Sequence, residues 1–140
     1  MADLKSSPVA DVKIKSLLEK LRTEPVASFF NIKMLELTPG YSKISLKMRP
    51  EYINFNGVIF GSIVMAAADY AFALASNSLH MPSLATQFNI HLLAPTAAGD
   101  ELFAEAKVCK SGKRVGITEM TVTNQTGKLI ARATGTTIPT

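Results

Sequence analysis

This 140-residue chain has a single cysteine, Cys109, and only two histidines. One thiol can build neither a disulfide framework nor a cysteine zinc cluster. His80 falls in a loop and His91 on a strand, neither with a visible partner, so both are read as structural or exposed. No metal and no separate cofactor are expected. The opening M-A-D-L-K-S-S lacks the apolar core of a signal peptide, which points to the cytoplasm. Zinc spacing, a helix-turn-helix pattern and basic stretches interleaved with aromatics are all missing, which argues against nucleic acid. No repeat or linker interrupts the chain, so residues 1–140 are read as one domain. The most informative scarcity is of charge: from residue 53 to residue 98 the only formally charged side chain is Asp69.

What is present is apolar. Hydrophobic residues make up 47% of the chain and mean hydropathy is +0.19, which excludes disorder. The run V-I-F-G-S-I-V-M-A-A-A-D-Y-A-F-A-L-A-S-N-S-L, residues 58–79, approaches the roughly 20 residues of a membrane span. Asp69 at its centre, Ser62, Ser76, Asn77 and Ser78 within it, and alanine in place of leucine favour a buried core helix instead, so no membrane partner is expected. The net charge of +4 is modest. Lys107, Lys110, Lys113 and Arg114 cluster round one turn, K-V-C-K-S-G-K-R, which suits either phosphates or a solvated hairpin end.

Periodicity orders the elements. Residues 10–23 place Val12, Leu17, Leu18 and Leu21 near one stripe of an amphipathic helix ended by Pro25. Strands are expected at residues 29–37 and 41–48, the second with Ile44, Leu46 and Met48 on one face. A loop at Asn54–Gly57 precedes a central helix over about 61–78. Four strands follow, at 83–94, 101–110, 114–123 and 128–138. A nearly all-apolar helix needs cover on every side, and one curved antiparallel sheet has one inner face. The pattern therefore predicts an α+β fold, a core over about 28–138, and an oligomer.

A carboxylate on such a helix is costly to bury unless it is used, so Asp69 is a candidate general base or nucleophile with a raised pKa. The alternative is a capped or solvent-facing aspartate.

The stretch N-F-N-G-V-I-F-G-S-I-V-M-A-A-A-D-Y-A-F-A-L-A-S-N-S resembles the signature of hotdog-fold acyl-CoA thioesterases, most of all the PaaI-like, phenylacetate-degradation branch. That branch shows Asn-x-x-Gly-x-x-His-Gly-Gly, then Asp eight residues after the first Gly of the pair. Asn54, Gly57, Gly61 and Asp69 hold those places. F-N-I-H-L-L-A-P, A-G-D-E-L, K-S-G-K and T-N-Q-T-G-K-L-I-A extend the likeness over about residues 30–138. Phe60 replaces the family histidine, Ser62 the second glycine, and Ala85 the water-holding serine of several relatives.

The resemblance implies a hotdog fold, an acyl-CoA substrate, coenzyme A entering only as part of that substrate, and a homodimer with shared sites that commonly pairs into a homotetramer. Thioester hydrolysis needs an oxyanion stabiliser and an activator of water. The Gly61 amide at a helix N-terminus suits the first task, with Asn54 as an added donor or loop positioner; Asp69 suits the second. Gly61 and Asp69 lie eight residues, or about 12 Å, apart along one helix, so they can meet only between two antiparallel helices of a two-fold dimer. Phe60, Ser62 and Gly57 are the candidate substrate contacts, Phe60 shaping an acyl pocket with Phe72 or Met65. Lys110, Lys113 and Arg114 are candidates for the coenzyme A phosphates. The alternative is an acyl-CoA-binding protein without turnover.

Overall fold

A computed structural model describes residues 8–140, with side chains from residue 12 onward. Helix α1 (Pro8–Leu21) and short helix α2 (Pro25–Phe30) precede strands β1 (Lys33–Thr38) and β2 (Tyr41–Lys47). A 3-10 turn at Pro50–Tyr52 leads to the long helix α3 (Gly61–Asn77). Strands β3 (Ser83–Leu92), β4 (Glu101–Ser111), β5 (Gly116–Thr123) and β6 (Leu129–Pro139) complete the chain. The α+β order read from periodicity stands, with α2 added.

That addition corrects the reading of Pro25. It sits in the first turn of α2, where its missing N–H would be unpaired anyway. Asn31 closes α2 in the left-handed conformation, φ 53°, so Phe29 and Phe30 are helical and β1 starts at Lys33. The buried face of α1 also differs from the expected stripe. Leu17 is buried with Ile14 and Leu21 partly so, at i, i+3 and i+7, while Val12 and Leu18 are exposed.

All six strands form one antiparallel sheet in the order β1-β2-β4-β5-β6-β3. Alternation sets its two faces. Ile44, Leu46, Leu102, Ala104, Ala106, Met120, Val122, Ala131 and Ala133 are buried on the inner face, against α3. The helix touches every strand. Its small residues Ala67, Ala68, Ala71 and Ala75 are fully buried, which lets the sheet close on it. Two hydroxyls fix its seat: Ser42 Oγ donates to the Ala71 carbonyl at 2.6 Å, and Ser78 Oγ accepts the Gly40 N–H at 2.9 Å.

Cover is incomplete on the opposite face of α3. Ser62, Asp69 and Ala73 are exposed, and Ala66 and Asn77 partly so, at spacings that trace one stripe along the helix. Strand β3 is one edge of the sheet, β1 being the other, and most of the ten residues of β3 are exposed on both faces. Among the described residues, no helix is long and apolar enough to cross a membrane.

Candidate active site

The N-terminus of α3 is built by the loop before it. Asn54 Oδ1 accepts the backbone N–H groups of Asn56 (3.0 Å) and Val58 (3.4 Å), and the Asn54 N–H donates to the Val58 carbonyl at 2.8 Å. Gly57 closes this turn at φ +78°, a conformation that side chains disfavour. The Phe60 N–H donates to the Tyr52 carbonyl at 2.8 Å, anchoring the helix start. Phe60 is the N-cap and has no capping side chain, so the amides of Gly61 and Ser62 have no partner among the described residues. Gly61 borders a depression of about 300 Å³ lined also by Asn54, Ile59, Val64, Leu92 and Thr96, among others. A Cβ on Gly61 would stand 2.8 Å from Leu92 Cδ1, so the bare glycine lets Leu92 close over the helix end.

The structure thus brings Asn54 and Gly61 together, with Gly57, Phe60 and Ser62 beside them in the chain. Asn54 spends its carbonyl oxygen on the loop, which leaves its NH₂ as the available donor. Phe60 is half exposed rather than packed in the core. It does not join Phe72, which is 12 residues on, buried, and tilted against Phe88 with ring centroids 6.0 Å apart.

Asp69 is not buried within the protomer, contrary to expectation; it projects from the uncovered stripe of α3. Its carboxylate has no hydrogen-bond or ion-pair partner among the described residues. Desolvation by the surrounding apolar helix face still raises its pKa above the ordinary carboxylate value. The neighbouring Tyr70 hydroxyl turns away and donates to Glu24 Oε1 at 2.6 Å; burial and that carboxylate push the phenol pKa up. An uncovered, unpartnered carboxylate with a raised pKa is equipped to take a proton from water.

Other candidates lie elsewhere. Lys110, Lys113 and Arg114 belong to the β4–β5 hairpin, which meets the C-terminal end of α3 near Ser76 and His80, the end opposite Gly61. Ala85 faces the helix side of β3 opposite Thr137, beside a bulge. His80 and His91 are exposed, and so is Cys109, which a bulge in β4 between Val108 and Lys110 turns outward.

Sequence reasoning missed Leu92 and Thr96 as lining residues. Adjacent Leu92 and Leu93 cannot both face inward from one strand, and both are exposed. Thr96 is held by Asp100, whose carboxylate accepts the Thr96 hydroxyl (2.8 Å) and the Ala97 N–H (2.9 Å). That backbone bond, with contacts to Gln125 and Thr96, keeps the Asp100 pKa low.

The thioesterase superfamily profile matches residues 56–131, from the loop before α3 to the first residues of β6. The chain belongs to the thioesterase superfamily, a class of ester and thioester hydrolases, and has its hotdog fold. Within it the chain is PaaI-like. It is 30% identical over 105 residues to the acyl-coenzyme A thioesterase PaaI of Escherichia coli, covering 75% of each chain. It is 35% identical over 115 residues to a provisionally named esterase of Archaeoglobus fulgidus, covering 82% of this chain and 75% of that one. The solved structure of Escherichia coli PaaI superposes with a TM-score of 0.87 at 26% identity, covering 91% of this chain and 94% of the other.

Proposed function

We propose that the protein hydrolyses acyl-CoA thioesters to free acid and coenzyme A, in two sites shared across a homodimer. The observation that carries this reading is a pair on one helix: unpartnered amides at its N-terminus, and an unpartnered carboxylate two turns further on, at Asp69. In each site the Gly61 N–H of one protomer, with the Asn54 NH₂, receives the negative charge that develops on the thioester oxygen. Asp69 of the other protomer activates the attacking water, or itself attacks the carbonyl carbon. In the first path the thiolate of coenzyme A leaves and takes the proton that Asp69 removed from water; in the second it leaves an acyl–Asp69 anhydride, which water hydrolyses to the free acid and the regenerated carboxylate.

The open face supports this assembly. The edge of β3, Leu92 and Leu93, and the stripe of α3 are all exposed in the protomer, and a two-fold partner would cover them. Pairing of such dimers into a homotetramer, and residence in the cytoplasm, belong to the same proposal. The replacement of histidine by Phe60 is compatible with it, because the Gly61 amide does not depend on its neighbour's side chain. The same replacement is what favours the second reading, an acyl-CoA-binding protein without turnover.

Release of free coenzyme A thiol from short, medium, long and aryl acyl-CoAs separates the two. Activity that disappears in a folded Asp69→Asn variant supports hydrolysis. Tight acyl-CoA binding with no thiol release on any substrate would establish the second reading.

A further inference from the structure

We propose that the groove between α1 and α3 holds the tail of a linear, medium-chain acyl group, which makes Ala73 the residue that admits it. This rests on the shared-site reading above and adds the class of acyl group. The groove encloses about 480 Å³, within the range of roughly 300–1,000 Å³ typical of small-molecule sites. Its apolar walls are Leu17 and Leu21 of α1, Tyr70, Ala73 and Leu74 of α3, and Met81 beyond it. Its polar lining is Lys20, Glu24 and Asn77 at the rim with the Tyr70 hydroxyl, which is satisfied by Glu24 and so does not oppose an apolar occupant.

Continuity with Asp69 identifies the occupant. Ala73 lies one turn beyond Asp69 on the uncovered stripe, and Asn77, at the far end of the groove, lies about 12 Å along the axis. A carbonyl held at Asp69 therefore directs its acyl arm past Ala73, where the small side chain leaves the entrance open. A zigzag hydrocarbon advancing about 1.3 Å per carbon spans that distance with about nine carbons. A phenyl ring fills only the entrance and never reaches Leu17 or Met81. In antiparallel helices with Gly61 opposite Asp69, Phe60 of one protomer falls opposite Tyr70 of the other and roofs the entrance. The coenzyme A arm leaves the other way, so the Lys110, Lys113 and Arg114 hairpin lies beyond the tail rather than at the phosphates.

Two measurements test this. The first is kcat/KM for butanoyl-, decanoyl- and phenylacetyl-CoA on wild type and on Ala73→Phe, a change on the stripe a partner would cover, so the comparison is made on variant protein shown to be dimeric by size-exclusion chromatography. Wild type should prefer decanoyl over butanoyl by about tenfold or more, and the ratio should fall at least tenfold in the variant. The second uses the Asp69→Asn variant with decanoyl-CoA carrying a photoreactive diazirine at its last carbons; label should appear in residues 16–24 or 79–83. Label confined to residues 53–60 or 92–96, or a chain-length profile unmoved by Ala73→Phe, overturns the groove and leaves the thioesterase reading intact. Label in the groove with no hydrolysis of any thioester supports the groove and overturns the thioesterase reading.

Discussion

If each site takes Gly61 from one protomer and Asp69 from the other, two inactive variants must rescue each other. The partner for Asp69→Asn is Gly61→Pro, which removes the oxyanion amide. The structure says it folds. The Gly61 N–H has no partner to lose, and position 61 is the first residue of α3, where proline is favoured. Phe60 already has φ −55° and ψ 126°, the extended geometry a residue before proline requires. A Cβ at position 61 crowds Leu92 Cδ1, the mobile end of a half-exposed side chain. Losing one oxyanion donor should cost about 10²–10³ in kcat, and losing the base about 10²–10⁴. Each heterodimer then holds one doubly defective site and one intact site. In an equimolar mixture about half the dimers are heterodimers, so activity should return to about a quarter of wild type. The assay is thiol release after co-refolding, with heterodimer content checked by native mass spectrometry. Heterodimers no more active than the parents would refute the shared site and return Asp69 to a single-chain role that the helix spacing does not allow.

Two further outcomes follow from single side chains. Asp69 has a folded pKa above its unfolded value, so the folded state binds the extra proton and stability falls as pH rises through that window. Asp69→Asn removes the slope: its Tm should exceed wild type at pH 7 and converge with it below about pH 4, while wild-type kcat/KM declines in acid as the base is protonated. A lower Tm for Asp69→Asn at pH 7 would contradict the desolvation account. Thr118 Oγ1 is fully buried and has no hydrogen-bond partner among the described residues, so Thr118→Val should raise stability by about 1 kcal/mol in denaturant melts; a loss of stability would mean that a water held in the adjacent 20 Å³ cavity satisfies the hydroxyl.

Much of the fold was legible because period and turn chemistry agreed. Ile44, Leu46 and Met48 alternate and all three are buried; the Ala-rich run is the central helix; Gly57 and Gly127 stand at turns with positive φ. Reading failed where a local signal had two structural uses. Pro25 marks a boundary, and only the packing of Phe30 near Tyr52 tells that a second helix begins there. Asp69 was expected to be buried because its neighbours in sequence are apolar. The exposed stripe at Ser62, Ala66, Asp69, Ala73 and Asn77 is composed of residues small enough to pass for core. Leu21, Glu24, Tyr70 and Met81 meet from three distant segments, and nothing in their local sequence announces the groove they form.

Lack of cover and lack of a complete site have one physical origin in this protomer. Helix α3 needs apolar contact all round, yet its stripe and the β3 edge are open, and Phe55, Phe60, Leu92 and Leu93 stand exposed round the helix N-terminus. A monomer in that state would present a long unpaired edge and an apolar patch to water. Closing both with a second copy places one helix N-terminus against the middle of the other helix, because the uncovered surface of α3 runs from Ser62 past Asp69. The contact that relieves the exposed surface is then the same contact that brings an amide donor to the carboxylate. Dissociation should therefore abolish hydrolysis before it unfolds the sheet. Dilution through the dimer equilibrium, followed by thiol release and far-ultraviolet circular dichroism together, reads this directly: activity lost with the β signal retained is the expected order, and full activity in a demonstrated monomer would dismantle the argument.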